Sequence, residues 1–184
     1  MDALSPFHNR QLEWELYSPL VCTTMLELGN KKNKELTYKA FFTSLGFAHT
    51  SVDWNGQDGA LRRDLREPLN LGTFDMVTNI GTTEHVDGQF GVWKNVCEAM
   101  HVGSVLVSGT PKPGDWRWHG TWYPETQFFE ALAFLNGLEV ERLYIAGEAP
   151  RRNVMARLRR IADMSFVMPD GGIFRNERDP GSRP

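Results

Sequence analysis

Thr23-Thr24-Met25-Leu26-Glu27-Leu28-Gly29-Asn30 is the stretch on which the fold turns. A short apolar run ended by Gly-Asn suits a strand covered on both faces, as in a parallel sheet. A helical period follows it. Leu36, Ala40, Phe41 and Leu45 recur over residues 34–45, and Gly46 stops the pattern. Phe47 to Val52 then reads as a second strand closing on Asp53.

The alternation continues to the end of the chain. Ala60 to Leu65 is a possible short third strand, and Phe74 to Ile80 a fourth, turned out by Gly81-Thr82-Thr83. Gln89 to Met100 carries Phe90, Trp93, Val96, Cys97 and Met100 on one helical stripe. Gly103 to Ser108 is a fifth strand, Thr126 to Asn136 a helix stopped by Gly137, and residues 139–145 and 153–161 are two last strands. Strands alternating with helices predict an α/β domain built on a largely parallel sheet. The expected organisation is one domain over residues 1–168 and a loosely ordered polar tail over 169–184.

Composition narrows the function classes. The chain has 184 residues, 41% hydrophobic and 23% charged, with a formal charge of -3, which suits one soluble domain and gives no general attraction for nucleic acid or anionic membrane. The first ten residues lack a secretory signal, and no run approaches the length of a membrane span. Cys22 and Cys97 lie in apolar stretches without zinc-type spacing. They are expected to be buried thiols of a reduced, cytoplasmic protein, and no metal is expected. Arg151, Arg152, Arg157, Arg159 and Arg160 form a basic cluster, read as charges that protect an edge strand from pairing.

In parallel sheets ligands bind beyond the carboxyl ends of the strands. Asp53 stands at such an end, where it can accept from ribose hydroxyls or cap its own loop. Asp64-Leu65 can bind an adenine amino group and pack on its ring, or simply form a turn. Asn79 ends the fourth strand, with Glu84-His85 just beyond it as base or helix cap. His119 lies in the dense aromatic run Trp116 to Tyr123, which is either an apolar wall for a substrate or a lid packed on Phe7, Leu12, Trp14 and Leu16.

The order of these pieces resembles the class I S-adenosylmethionine-dependent methyltransferases from Val21 to about Met168. Met25-Leu26-Glu27-Leu28-Gly29 is similar to that family's first motif, Ser51-Val52-Asp53 to its ribose-binding acid, and Asp64-Leu65 to its adenine-side pair. Phe74 to Asn79, Thr83 to Val86, Ala99 to Val107 and Leu135 to Val140 are similar to its later segments. The resemblance implies a Rossmann-like three-layer sandwich, with a seven-stranded, mostly parallel sheet whose last strand is antiparallel.

It also implies S-adenosylmethionine as cofactor, held by Glu27, Gly29, Asn30, Asp53, Trp54, Asp64, Leu65 and Asn79. His85 and His119 are the candidate catalytic bases, and a small molecule is the expected methyl acceptor. The family's loop continues Gly-x-Gly-x-Gly, whereas Lys31 and Asn33 hold the later glycine positions here. Lys31 either reaches the methionine carboxylate or is part of a solvated loop. This departure motivates the alternative, a catalytically inactive methyltransferase-like binding or assembly protein.

Overall fold

A computed structural model describes residues 23–30, 37–117 and 119–175. Lys31, Lys32, Asn33, Cys22, Trp118, Phe7, Leu12, Trp14 and Leu16, with what was expected of them, lie outside the described residues. Nine strands are present among those described: β1 Thr24–Leu28, β2 Ala48–Asp53, β3 Leu61–Arg62, β4 Phe74–Ile80, β5 Met100–Pro111, β6 Trp122–Pro124, β7 Leu138–Ala146, β8 Asn153–Arg160 and β9 Ile173–Arg175. Three α-helices accompany them: α1 Tyr38–Ser44, α2 Gln89–Glu98 and α3 Thr126–Leu135.

Seven strands form one sheet in the order β3-β2-β1-β4-β5-β8-β7. β1 pairs in parallel with β2 and β4, and β4 with β5. β8 runs antiparallel to both of its neighbours, β5 and β7. The expected mostly parallel sheet with an antiparallel last strand is therefore the observed one.

The period of two explains the three layers. Leu26, Leu28, Val77, Leu106, Ala156 and Leu158 face one side, where Trp93 of α2 and Phe128, Phe129 and Leu132 of α3 complete the core. Met25, Met76, Val105, Val107 and Met155 face the other side, against Phe42 of α1. On the first side, Trp93 lies 4.9 Å from Phe128 and 5.7 Å from Phe129, centroid to centroid. Such large buried rings account for much of the packing energy.

Two expectations are corrected. The arginine-rich strand is not an edge: β8 lies between β5 and β7. Its charges are tolerated inside the sheet because they are matched. Glu141 accepts from both Arg157 and Arg159 at 2.5 Å, and Arg160 donates to the carbonyls of Cys97 and Met100 and to Asp163. The tail is not loose throughout, since β9 pairs antiparallel with β6 and Glu125 donates its N–H to the Gly172 carbonyl at 2.7 Å. Among the described residues, no helix is long and apolar enough to cross a membrane.

Candidate functional site

The carboxyl ends of β1, β2 and β4 open into a cleft of about 500 Å³. That size lies within the range of small-molecule sites. Gly29 starts its floor with φ +85°, and a Cβ there would fall 2.3 Å from the Thr82 hydroxyl oxygen, so only glycine lets the loop pass beneath the β4 turn. Thr82 closes the gap by donating to the Leu28 carbonyl at 2.8 Å. Asn30 also lines the cleft. Its amide donates to the Gln57 carbonyl at 2.7 Å, while its Oδ1 is buried and, among the described residues, has no hydrogen-bond partner.

Asp53 lines the same cleft at the end of β2, and its Oδ1 accepts the Asn55 N–H at 2.9 Å. The loop-capping role thus occupies one carboxylate oxygen. Trp54 beside it is 75% exposed, with the Arg62 guanidinium 5.9 Å from its ring. Asp64 and Leu65 form the facing wall. Arg66 donates to both Asp64 oxygens, with the shortest contact at 2.6 Å, and holds the carboxyl down at about 2.

Two expected cofactor residues stand elsewhere. Glu27 is buried in β1 and sits 2.8 Å from the His49 Nε2 of neighbouring β2. Asn79 is fully buried and does not line the cleft. Its amide donates to the hydroxyls of Thr83 at 2.9 Å and Ser108 at 3.0 Å, and its Oδ1 accepts from Thr83 N. Asn79 fixes the turn after β4.

That turn, Thr83–His85, carries the other end of the site. Gln89 donates to the carbonyls of Thr83 and Val86, and Thr121 N donates to the Glu84 carbonyl at 2.6 Å. His85 is thereby presented to the cleft. The loop after β5 brings His119 against it, with ring centroids 4.8 Å apart. Trp116 forces this loop round with a left-handed φ of +50°. Three contacts hold that strained residue: Trp116 N to the Pro150 carbonyl, its indole to the Arg152 carbonyl, and its own carbonyl accepting from Tyr123. Gly120 permits the final approach, since a Cβ there would lie 2.8 Å from Glu84 Cγ.

Glu84 lies between the two histidines with no exposed surface. Its Oε1 is 3.8 Å from His85 Nε2 and 3.5 Å from His119 Nε2, and among the described residues neither carboxylate oxygen has a hydrogen-bond partner. Burial, with the charge of Glu84 beside it, pushes the Tyr123 hydroxyl up to about 12. The two candidate bases are therefore neighbours around an enclosed acid. Glu84 entered the sequence reading only as a companion of His85, because nothing in Thr83-Glu84-His85-Val86 announces burial. Of the aromatic run, Tyr123 is core and the Trp122 indole donates to Asp87 of the cleft wall, while the residues on which a lid was expected to pack lie outside the described residues.

No family model matches the chain, and no curated protein matches it significantly. Solved structures do. The N-methyltransferase NodS from Bradyrhizobium japonicum is 15% identical, with a TM-score of 0.59 over 86% of this chain and 99% of NodS. The 1,6-didemethyltoxoflavin-N1-methyltransferase of Burkholderia thailandensis is 13% identical, with a TM-score of 0.62 over 83% and 78%. A TehB-like S-adenosylmethionine-dependent methyltransferase of Corynebacterium glutamicum is 14% identical, with a TM-score of 0.54 over 84% and 96%. Together with the strand order and the single antiparallel strand, these likenesses give the chain the fold of the class I S-adenosylmethionine-dependent methyltransferases.

Proposed function

We propose that the protein is a cytoplasmic methyltransferase that transfers the methyl group of S-adenosylmethionine to a small molecule. The observation that supports this reading is the cleft itself, which gathers carboxylate and amide acceptors beside the strand ends. In this reading Asp53, at the end of β2, accepts from the ribose hydroxyls, and Asp64 and Leu65, which line the same cleft, take the adenine. The unpartnered Oδ1 of Asn30 suits the ammonium of the methionine moiety, and exposed Trp54 offers a planar cover for the nucleoside. NodS and the toxoflavin methyltransferase were both crystallised with S-adenosylhomocysteine, which supports the same cofactor class here.

When bound, the cofactor supplies an electrophilic methyl group on a sulfonium sulfur. The chain's own part is mainly placement. The β2 and β3 ends hold the nucleoside, and the turn after β4 faces the acceptor. His85 is in position to take the acceptor's proton, and His119 packs on its ring to fix its orientation. Cys97 takes no part, because burial pushes its thiol up to about 12.

A second reading, an inactive binding protein on the same fold, draws on Asp64 being held by Arg66 and Glu27 by His49. Calorimetric titration with S-adenosylhomocysteine, NAD and ATP tests the proposal. Micromolar binding of S-adenosylhomocysteine alone is expected. No binding of it at millimolar concentration rejects the methyltransferase reading and leaves the inactive one.

A further inference from the structure

A carboxylate with no exposed surface and no hydrogen bond to either oxygen is costly for a fold to keep unless a cation is near. Glu84 is in that position: among the described residues two ring nitrogens approach it and stop short of hydrogen bonding, His119 Nε2 at 3.5 Å and His85 Nε2 at 3.8 Å. The two imidazoles meet edge to face and aim the same ring nitrogen at the same carboxylate oxygen. One oxygen and two nitrogens thus lie within 4.8 Å of one another around a common centre.

We infer that Glu84, His85 and His119 bind a divalent transition-metal ion of the zinc or ferrous class. Two imidazoles and one carboxylate are the donor set such ions favour over magnesium or calcium, which prefer oxygen alone. Metal bonds of about 2.0–2.1 Å place neighbouring donors a little closer than they stand here. The histidine side chains are 49% and 43% exposed and have room to close that gap, while Glu84 is fixed. The enclosed carboxylate then gains the positive charge it lacks.

Three protein donors leave a coordination position for an outside ligand, as in catalytic rather than structural sites. His85 lines the cleft, so that position opens towards the acceptor. There the ion can hold an oxygen of the acceptor and favour its deprotonated form, so that with metal bound the ion, and not the His85 nitrogen that holds it, promotes loss of the acceptor's proton. This use of the ion rests on the methyltransferase reading; its binding does not.

The test is titration of chelator-treated protein with Co²⁺, followed by visible absorption, with Zn²⁺ as competitor and without S-adenosylhomocysteine. The expected result is one Co²⁺ per chain, displaced by Zn²⁺. His119→Ala, at a half-exposed position, is expected to weaken binding by more than about tenfold while its melting curve stays close to wild type. Glu84→Gln is expected to do the same where it folds, and His101→Ala, whose ring sits on Asp75 away from the cleft, to bind as wild type does. No saturable Co²⁺ binding, or stoichiometric binding that survives His119→Ala, overturns the inference. Either result leaves S-adenosylhomocysteine binding as a separate question, answered by calorimetry on the same preparations.

Discussion

The two ends of the cleft are built on opposite electrostatic terms. At the Asp53 end the acids are accessible and locally tied: Asp53 to Asn55 N, Asp64 to Arg66. Water and short-range partners stabilise those charges, so the fold does not depend on them. At the Glu84 end the acid is buried with no hydrogen-bond donor among the described residues, and the surrounding turn is pinned by Asn79, Gln89 and Thr121. Rigid support around an unmatched buried charge is what a site for chemistry requires, and accessible charges on loops suit a site for binding. In the proposed function, recognition belongs to the Asp53 end and reaction to the Glu84 end.

Substitutions at the two ends should therefore separate turnover from affinity. The largest effect is expected for His85→Ala. It should lower turnover of an acceptor by roughly 10²–10⁴-fold, the usual contribution of a positioned base. Its affinity for S-adenosylhomocysteine should stay near wild type, as measured by steady-state kinetics beside calorimetry. Equal losses in both would erase the division between the ends.

Gly120→Ala presses a Cβ onto Glu84 in a left-handed backbone position. About 1–3 kcal/mol of stability should be lost, read from urea unfolding. Asp53→Ala should weaken S-adenosylhomocysteine by about 1–3 kcal/mol through unpaired ribose hydroxyls, with melting temperature little changed. An unchanged affinity would remove Asp53 from the recognition end.

The smallest effect concerns acid sensitivity. Arg66 holds Asp64 at about 2, below the ordinary 3.8, so the folded chain keeps this carboxylate ionised where the unfolded chain begins to protonate. The sign follows: the pair stabilises fully above about 4 and its contribution is lost as pH falls towards 2. Both side chains are exposed, so the contribution is below about 1 kcal/mol. Asp64→Asn should flatten the stability curve in that window alone.

The sheet was legible in the sequence because its strands carry their own signals. The β1 run is apolar on both faces, glycines stop the helices, and strand ends coincide with Asp53 and Asn79. The place of β8 was not legible, since five arginines look like an edge until Glu141 is seen across the strand pair. Asp53, Trp54, Asp64 and Leu65 were brought to one cleft as their strand-end positions implied. Asn79 and Glu27 were not, because the same strand-end signal serves a residue that fixes a turn and one that pairs within the sheet. Glu84 was hidden for a different reason. Its burial is made by Gly120 and Thr121, some 36 residues away, and local pattern carries no record of that contact.

The most direct test of the division is a crystal structure with S-adenosylhomocysteine bound. The account predicts ribose hydroxyls within hydrogen-bond distance of Asp53, adenine against Leu65, and the sulfur directed towards His85. A ligand seated with its ribose away from Asp53, or an undisturbed cleft at saturating S-adenosylhomocysteine, would contradict it.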